Sequence, residues 1–549
     1  MELNIAQIFH SIADAYPERD CLVTPDQTFS WAMTQTRIRQ FASILHAAGC
    51  GAHGEFDADR GWVSIHDHVA LYLYNGPEYL EAMVGSYSAR ACPININYRY
   101  KAEELHYVLE DSHAVALVIG NSFVDTFAAV RDSLPPFRVI LQVDDGSEAA
   151  LLDGAQWYEE ALSTAPSAPT EAEPQLSGDD FYACYTGGTT GMPKGVLWRQ
   201  ADFVVAALGV RQRDGSDIES VDQLVTAAER TRLRAFPAAP LMHGAAHWNA
   251  LSCWLAGGTV VLGSQPRHLD PRDVWATVER SGATSLLIVG DSFARPLLDE
   301  LSAAETAGRP YQLGSLRHIL SGGAVLGPHS QQRFLEAIPG ITIVDVLGST
   351  ESGRQGVATI RTGTGGTSKF APSATAIVLD EQRHNALSPD SSETGWLAQS
   401  GRVPMGYLGD PERTQATFPV MNGVRYAVAG DRARWENGKI ELLGRESVCI
   451  NTGGEKVFAE EVETALKSHP AVTDAVVCGR ASSRWGQEVV AVVSLSDPSC
   501  LDSELIAVCK EHLADFKAPK AIIRVERVER SPSGKADYAW ATKIATQQP

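Results

Sequence analysis

The sequence predicts an α/β protein with a large N-terminal domain of mostly parallel sheets, residues 1–445, and a small α+β C-terminal domain, residues 446–549. Three observations predict it. Apolar runs of strand length alternate with helical patterns over most of the chain. Glycine-rich loops follow several of those runs, where open parallel sheets bind ligands. Past Gly444-Arg445-Glu446-Ser447 the pattern restarts as a compact unit of about a hundred residues, an ordinary domain size, and 549 residues are too many for one core.

The elements follow in order. Ile5, Ile8, Phe9, Ile12 and Ala13 share one helical face, and Pro17 marks the end of that helix. "HAVALVIG" and "RVILQVDD" have the apolar density of buried strands, and the Pro- and Ala-rich "STAPSAPTEAEPQLSGDD" reads as a surface linker. Phe181–Tyr185 is a further buried strand that runs into "TGGTTGMPKGV". The charged "RQRDGSDIESVDQLVTAAERTRLR" predicts a surface excursion whose second half is helical. Strands recur at "ATSLLIVG", "LRHILSGGA" and "ITIVDVLGSTE", with a helix at "DPRDVWATVERSG". The last unit reads as helix "AEEVETALKSHP", strands "TDAVVCGR" and "EVVAVVSL", helix "SELIAVCKEHLADF" and strand "AIIRVERV".

Composition narrows the function classes. Apolar residues at 44% and charged residues at 21% describe a soluble globular chain. A net charge of -21 argues against nucleic acid or an anionic membrane as the main partner. Nine cysteines without a C-x-x-C pair indicate neither a disulfide framework nor a zinc site, and a reducing cytoplasm fits them. No secretion signal and no membrane-spanning run is read.

Five stretches carry chemistry. In "YTGGTTGMPKGV" the glycines let successive N–H groups converge on an anion while threonine hydroxyls and Lys194 add donors and charge, a pattern suited to a polyphosphate. It is not a P-loop, because Gly195 follows Lys194 where a magnesium-holding hydroxyl belongs. In "VLGSTESG", Thr350 and Glu351 suit a phosphate and its magnesium, although such a stretch alone is more often a helix N-cap with a capping carboxylate. Asp431 in "YAVAGDRARW" suits a ribose diol or a plain turn. "GRESVCINTGGEKVFAEEVE" places Arg445 and a glycine pair at the domain junction, and "SPSGKADY" places Lys535 in a small-residue turn. By itself such a lysine is a solvated surface residue.

In this order and spacing the stretches resemble the adenylate-forming superfamily of acyl-CoA synthetases, nonribosomal adenylation domains and luciferases. The resemblance implies that Thr186, Gly187, Gly188, Thr189, Thr190, Gly191 and Lys194 embrace the phosphates of ATP. It implies that Gly322, Gly323 and Ala324 border adenine, that Thr350 touches phosphate and that Glu351 binds Mg2+. Asp431 and Arg445 would then hold the ribose, Lys535 would act in adenylation, and His243 would gate or orient the acyl group. It further implies a mobile C-terminal domain that rotates between adenylation and thioester formation, with Gly454 lining the pantetheine path. Leu347, Ser447, Glu529 and Tyr538 depart from the residues common at their positions in the family.

The implied activity is that of a cytoplasmic ATP-dependent acyl-CoA synthetase. It would join a carboxylic acid to AMP with release of pyrophosphate and then pass the acyl group to CoA. The segments at 320–326 and 345–356 carry few charges, which favours an apolar acid, and the wording is closest to bacterial enzymes for fatty acids and steroid side-chain carboxylates. The implied partners are the acid, ATP with Mg2+, and CoA; a homo-oligomer is compatible with the sequence. Alternatives are an acyl-AMP ligase serving a carrier-protein phosphopantetheine, a phosphate-releasing ATPase or kinase, and a catalytically silent nucleotide-binding protein.

Overall fold

The computed structural model describes residues 2–167, 174–186, 192–212, 215–363, 369–452, 455–482, 484–531 and 534–547. The first helix, Ile5–Ala15, buries the predicted face, and the side chain of its N-cap Asn4 accepts from the Gln7 amide. The described residues of the expected surface excursion at 211–234 are largely exposed, and its helical second half packs on the first helix. Helix Val221–Ala228 buries Leu224 and Ala228, Tyr16 Oη donates to the Val225 carbonyl at 2.9 Å, and Arg19 donates to that of Ala228 at 2.9 Å. The end of the expected linker is also fixed: Asp180, 1% exposed, accepts from Arg90 at 2.7 Å and from Asn4 at 3.3 Å.

The N-terminal sheets are mixed. Strands Asp20–Val23, Thr259–Val261, Arg234–Pro237, Ser285–Ile288, His318–Gly322 and Thr342–Ser349 lie side by side in that order and run parallel. Beyond Thr342–Ser349 the same sheet turns antiparallel through Gly353–Ile360, Lys369–Pro372, Lys439–Arg445 and Asp431–Glu436. Connection length decides the change, because a crossover to a parallel strand takes a dozen or more residues and three separate Ser349 from Gly353. A second sheet, Cys92–Asn95, His68–Tyr72, Ala114–Gly120, Val139–Val143 and Gln156–Trp157, is wholly parallel.

The C-terminal sheet contains Glu455–Phe458, Cys449–Thr452, Gly486–Leu495, Val472–Ser482 and Ala521–Arg524, with helix Ala459–Lys467 across its face burying Val462, Ala465 and Leu466. The hairpin Cys449–Thr452 with Glu455–Phe458 was not anticipated: its few apolar residues alternate over only four positions per strand. All nine cysteines are free. Cys500 nevertheless lies near His469 and Glu504, with one ligand atom of each within 4.8 Å of the others, a grouping that no sequence spacing signals. Among the described residues no helix is long and apolar enough to cross a membrane.

Candidate active site

Phe181–Thr186 and Lys194–Arg199 form an antiparallel hairpin in which Thr186 faces Lys194, so the glycine loop is its tip. Gly187, Gly188, Thr189, Thr190 and Gly191 lie outside the described residues, as does Gly454. The base of the hairpin is held firmly. Asn95 accepts from the Tyr185 amide at 2.7 Å and donates to its carbonyl at 2.9 Å, while Tyr185 Oη donates to Asp111 at 2.6 Å. Lys194 Nζ lies 5.6 Å from the Tyr407 ring centroid, a cation–π distance, and burial and then the neighbouring Arg413 push its amine below the ordinary lysine value.

Beside this hairpin opens a cavity of about 1700 Å³, lined among others by Thr186, His243, Gly322, Gly323, Thr350 and Lys535. Gly322 ends the parallel strand His318–Gly322, and Gly323 takes φ +86°, a conformation that costs a side chain dearly. Ala324 is not in the lining; it packs where a Cβ on Gly290 would touch it. Leu347, where the family often has an aromatic residue, is buried in the core and adds nothing to the cavity wall.

Thr350 and Glu351 sit in the tight turn between Thr342–Ser349 and Gly353–Ile360, so the N-cap reading fails for want of a helix. Trp198 Nε1 donates to the Thr350 carbonyl at 2.9 Å, and Ser352 Oγ accepts from the Ser349 amide at 3.2 Å. Glu351 Oε1 accepts from Tyr407 Oη at 3.2 Å. Among the described residues no donor reaches its second oxygen, which leaves a carboxylate oxygen available to a cation.

Asp431 and Arg445 face each other across the antiparallel pair Asp431–Glu436 and Lys439–Arg445, with Nε to Oδ1 at 3.1 Å. The Asp431 charge holds Arg445 above the ordinary arginine value. Lys535 enters from the C-terminal unit in a closed turn: Arg530 and Ala536 form a bridge, and the Ser531 amide donates to the Lys535 carbonyl at 2.8 Å. The Lys535 side chain is exposed to the cavity, yet the walls around it and then the charge of Arg445 push its amine below the ordinary value, against the pull of Glu351 and Asp431. Lys194, Glu351, Asp431 and Arg445 themselves lie outside the cavity lining.

His243, the N-cap of helix Gly244–Leu255, lines the cavity. Trp248 also lines it and is fixed by a relay unseen in the sequence: its Nε1 donates to Tyr182 Oη at 2.6 Å, and Tyr182 Oη lies 2.5 Å from His247 Nε2. His247 Nδ1 lies 2.8 Å from the Leu241 carbonyl, so Nδ1 carries the proton and Nε2 accepts. One charge breaks the expected apolar character. Arg354, within segment 345–356, lines the cavity with its guanidinium against Gly209, and among the described residues it has no carboxylate partner.

Thr186 at the end of its strand, Thr350 in its turn and Lys535 from the C-terminal unit line one cavity, and the charges of Glu351, Asp431 and Arg445 reach that lysine. The chain belongs to the AMP-binding enzyme family: the model described as AMP-binding enzyme matches residues 9–408, and that described as AMP-binding enzyme C-terminal domain matches residues 461–535. It is 44% identical over 547 residues, 98% of each chain, to the medium-chain acyl-CoA ligase Mig of Mycobacterium avium. It is 37% identical over 551 residues, 98% of this chain and 96% of the relative, to the 3-oxocholest-4-en-26-oate–CoA ligase of Rhodococcus rhodochrous. Its fold is shared with the anthranilate CoA ligase AuaEII in complex with anthranoyl-AMP, at a TM-score of 0.81 and 21% identity over 99% of this chain and 98% of the other.

Proposed function

We propose that this chain is an ATP-dependent acyl-CoA synthetase for an apolar carboxylic acid of fatty-acid or steroid side-chain type. The observation that carries the reading is the convergence of Lys535, from the C-terminal unit, on the Thr350–Glu351 turn and the Asp431–Arg445 pair of the N-terminal sheet. In the first step a carboxylate oxygen of the acid attacks the α-phosphorus of ATP, and the bond to pyrophosphate breaks. In the second the CoA sulfur attacks the acyl carbon, its proton leaves to solvent, and AMP departs with the bonding electrons of the mixed anhydride.

The residues divide this work by chemistry. Thr186 and Lys194 with the glycine loop neutralise the leaving pyrophosphate, and Asp431 accepts from the ribose hydroxyls in an orientation that Arg445 fixes. Lys535 stabilises the charge that grows on the α-phosphate; a preorganised donor of this kind is typically worth a hundredfold or more in rate. Its lowered amine lies closer to neutrality than an ordinary lysine. His243 orients the acid at the cavity mouth, and Trp248 walls the acyl branch. The free oxygen of Glu351 beside the Thr350 hydroxyl is a hard-oxygen set that fits Mg2+. When bound, the ion offsets phosphate charge. Gly454, which lies outside the described residues, is the residue that the family resemblance assigns to the pantetheine path.

The test is incubation with ATP, Mg2+ and a panel of short, long, aromatic, steroidal and ω-oxo acids, with and without CoA, with pyrophosphate and acyl-CoA measured together. The ω-oxo acids are included because Arg354 offers an oxygen acceptor a donor fork. Acid-dependent pyrophosphate with acyl-CoA is expected, and Lys535→Ala is expected to lower the pyrophosphate rate by about a hundredfold or more. Pyrophosphate without acyl-CoA would assign the product to a carrier protein; inorganic phosphate in its place would indicate an ATPase.

A further inference from the structure

Helix Gly290–Thr306 stands at the rim of the cavity and touches the C-terminal unit at two points. A Cβ placed on Gly534, beside Lys535, would lie 3.1 Å from Ser292 Oγ, so the lysine turn rests directly on the first turn of the helix. One turn further along, Arg295 Nη1 donates to the Val472 carbonyl at 2.6 Å and to that of Thr473.

Those carbonyls are available for a stated reason. Strand Val472–Ser482 pairs Val472 with Leu495 and Asp474 with Ser494, so the register slips at Thr473. A bulge leaves its extra residue out of the ladder and turns backbone groups outward. The Arg295 fork lies against that bulge, which an arginine serves better than a lysine because its donors are fixed in one plane.

The residue after the bulge carries the contact inward. Asp474 accepts from Arg530 Nε and Nη2, each at 2.6 Å, and lies 3.4 Å from Lys467 Nζ. Burial pushes this carboxyl up, but Arg530 and Lys467 outweigh it and hold it at about 2, so the pair stays ionised at any working pH. Arg530 Nη1 donates in turn to the Gly534 carbonyl at 3.3 Å. Hydrogen bonds from Arg295 to the Thr473 bulge, then, one residue along the chain, from Arg530 to Asp474 and to the Gly534 carbonyl, thus connect the large domain to the residue that precedes Lys535.

We propose that Arg295 is a positioning residue for the adenylation step alone, docking the bulge at Thr473 so that Asp474 and Arg530 hold Lys535 over the reacting phosphate. The proposal rests on the synthetase reading above. Arg295 lines the cavity beside this junction, and the role assigned to it is to keep the C-terminal unit in the arrangement that delivers the lysine. The transfer to CoA, in which the family C-terminal domain turns away, does not use the contact.

The half-reactions are therefore measured apart on the full chain. Adenylation is followed as pyrophosphate release with ATP and the best acid of the panel, dodecanoic acid being the first probe. Thioester formation is followed from chemically made acyl-adenylate of the same acid with CoA. Arg295→Ala is expected to lower kcat for adenylation about ten- to a hundredfold with KM for ATP little changed, and to leave the second reaction within about twofold of the parent. Arg295→Lys is expected to recover part of the first rate, since it keeps the charge without the fork. An equal fall in both half-reactions together with a lower Tm, or no fall in either, would overturn the proposal. No pyrophosphate from the unsubstituted chain with any acid would overturn the synthetase reading instead.

Discussion

The Tyr182 hydroxyl accepts from Trp248 and donates to His247, and among the described residues neither Trp248 Nε1 nor His247 Nε2 has another hydrogen-bond partner. Burial pushes His247 down to about 4, so its ring is neutral and the direction of each bond is fixed. Tyr182→Phe would strand a buried indole N–H and a buried imidazole nitrogen at a cost of about 1–3 kcal/mol for each group. The expected outcome is a lower urea midpoint by roughly that amount and a higher KM for the acid, with the adenylation rate at saturation retained; an unchanged midpoint would refute the relay. The sequence reading singled out His243, and His247 stands four residues further on. Because His243 is the N-cap and lies outside the helix proper, helical spacing does not put the two rings on one face, and only His243 reaches the cavity. Arg354 was missed for a similar reason. The register slips between Leu347 and Gly348, and such a bulge decides which face a strand residue takes without leaving a mark in the sequence.

Elements set the next limit. Apolar runs identified the strands around the cavity, yet a run carries no direction, so the antiparallel half of the large sheet became visible only through its short connections. Helix Ala459–Lys467 was legible from its periodicity, but its link to Gly444 and Arg445 was not. Glu460, in its first turn, accepts from the Arg445 amide at 3.3 Å, and a Cβ at Gly444 would collide with the same carboxyl. Burial, then the charge of Glu463, pushes Glu460 up to about 8. Between the ordinary glutamate value and about 8 the folded chain therefore holds a proton that the unfolded chain has released. The stability this gives is complete at low pH and is lost as pH rises through about 8. Glu460→Gln keeps the acceptor and removes the proton, so its urea midpoint is expected to fall less than the parent's between about pH 5 and pH 8. Parallel curves for the two proteins would show that Glu460 does not titrate in this range.

At the scale of the whole molecule, one cavity has to serve two reactions with different geometric needs. Adenylation needs Lys535 against the α-phosphate, and in the present arrangement the turn that carries it rests on Ser292 while Arg295 grips the Thr473 bulge. In the proposed second step a thiol has to reach the acyl carbon, and the same turn is proposed to leave for it. Among the described residues the contacts at this junction include those of Arg295 Nη1 with the bulge, the close packing of Gly534 on Ser292 and the Glu460 hydrogen bond to the Arg445 amide, against the much larger apolar core inside each unit. Such a junction can open without unfolding either side, since local stability follows the contacts that must break. Hydrogen exchange reads this directly. With ATP and Mg2+ bound, the amides of Val472–Asp474 and of Arg530–Ala536 are expected to gain protection over the free chain, whereas with CoA and a non-hydrolysable acyl-adenylate analogue they are expected to lose it. The strands at the centre of the C-terminal sheet, such as Val489–Val493, should exchange alike in both states. If the two ligand sets protect the bulge and the lysine turn equally, the unit stays in place throughout and CoA must enter past Lys535, in which case Arg295→Ala would impair both half-reactions rather than the first alone.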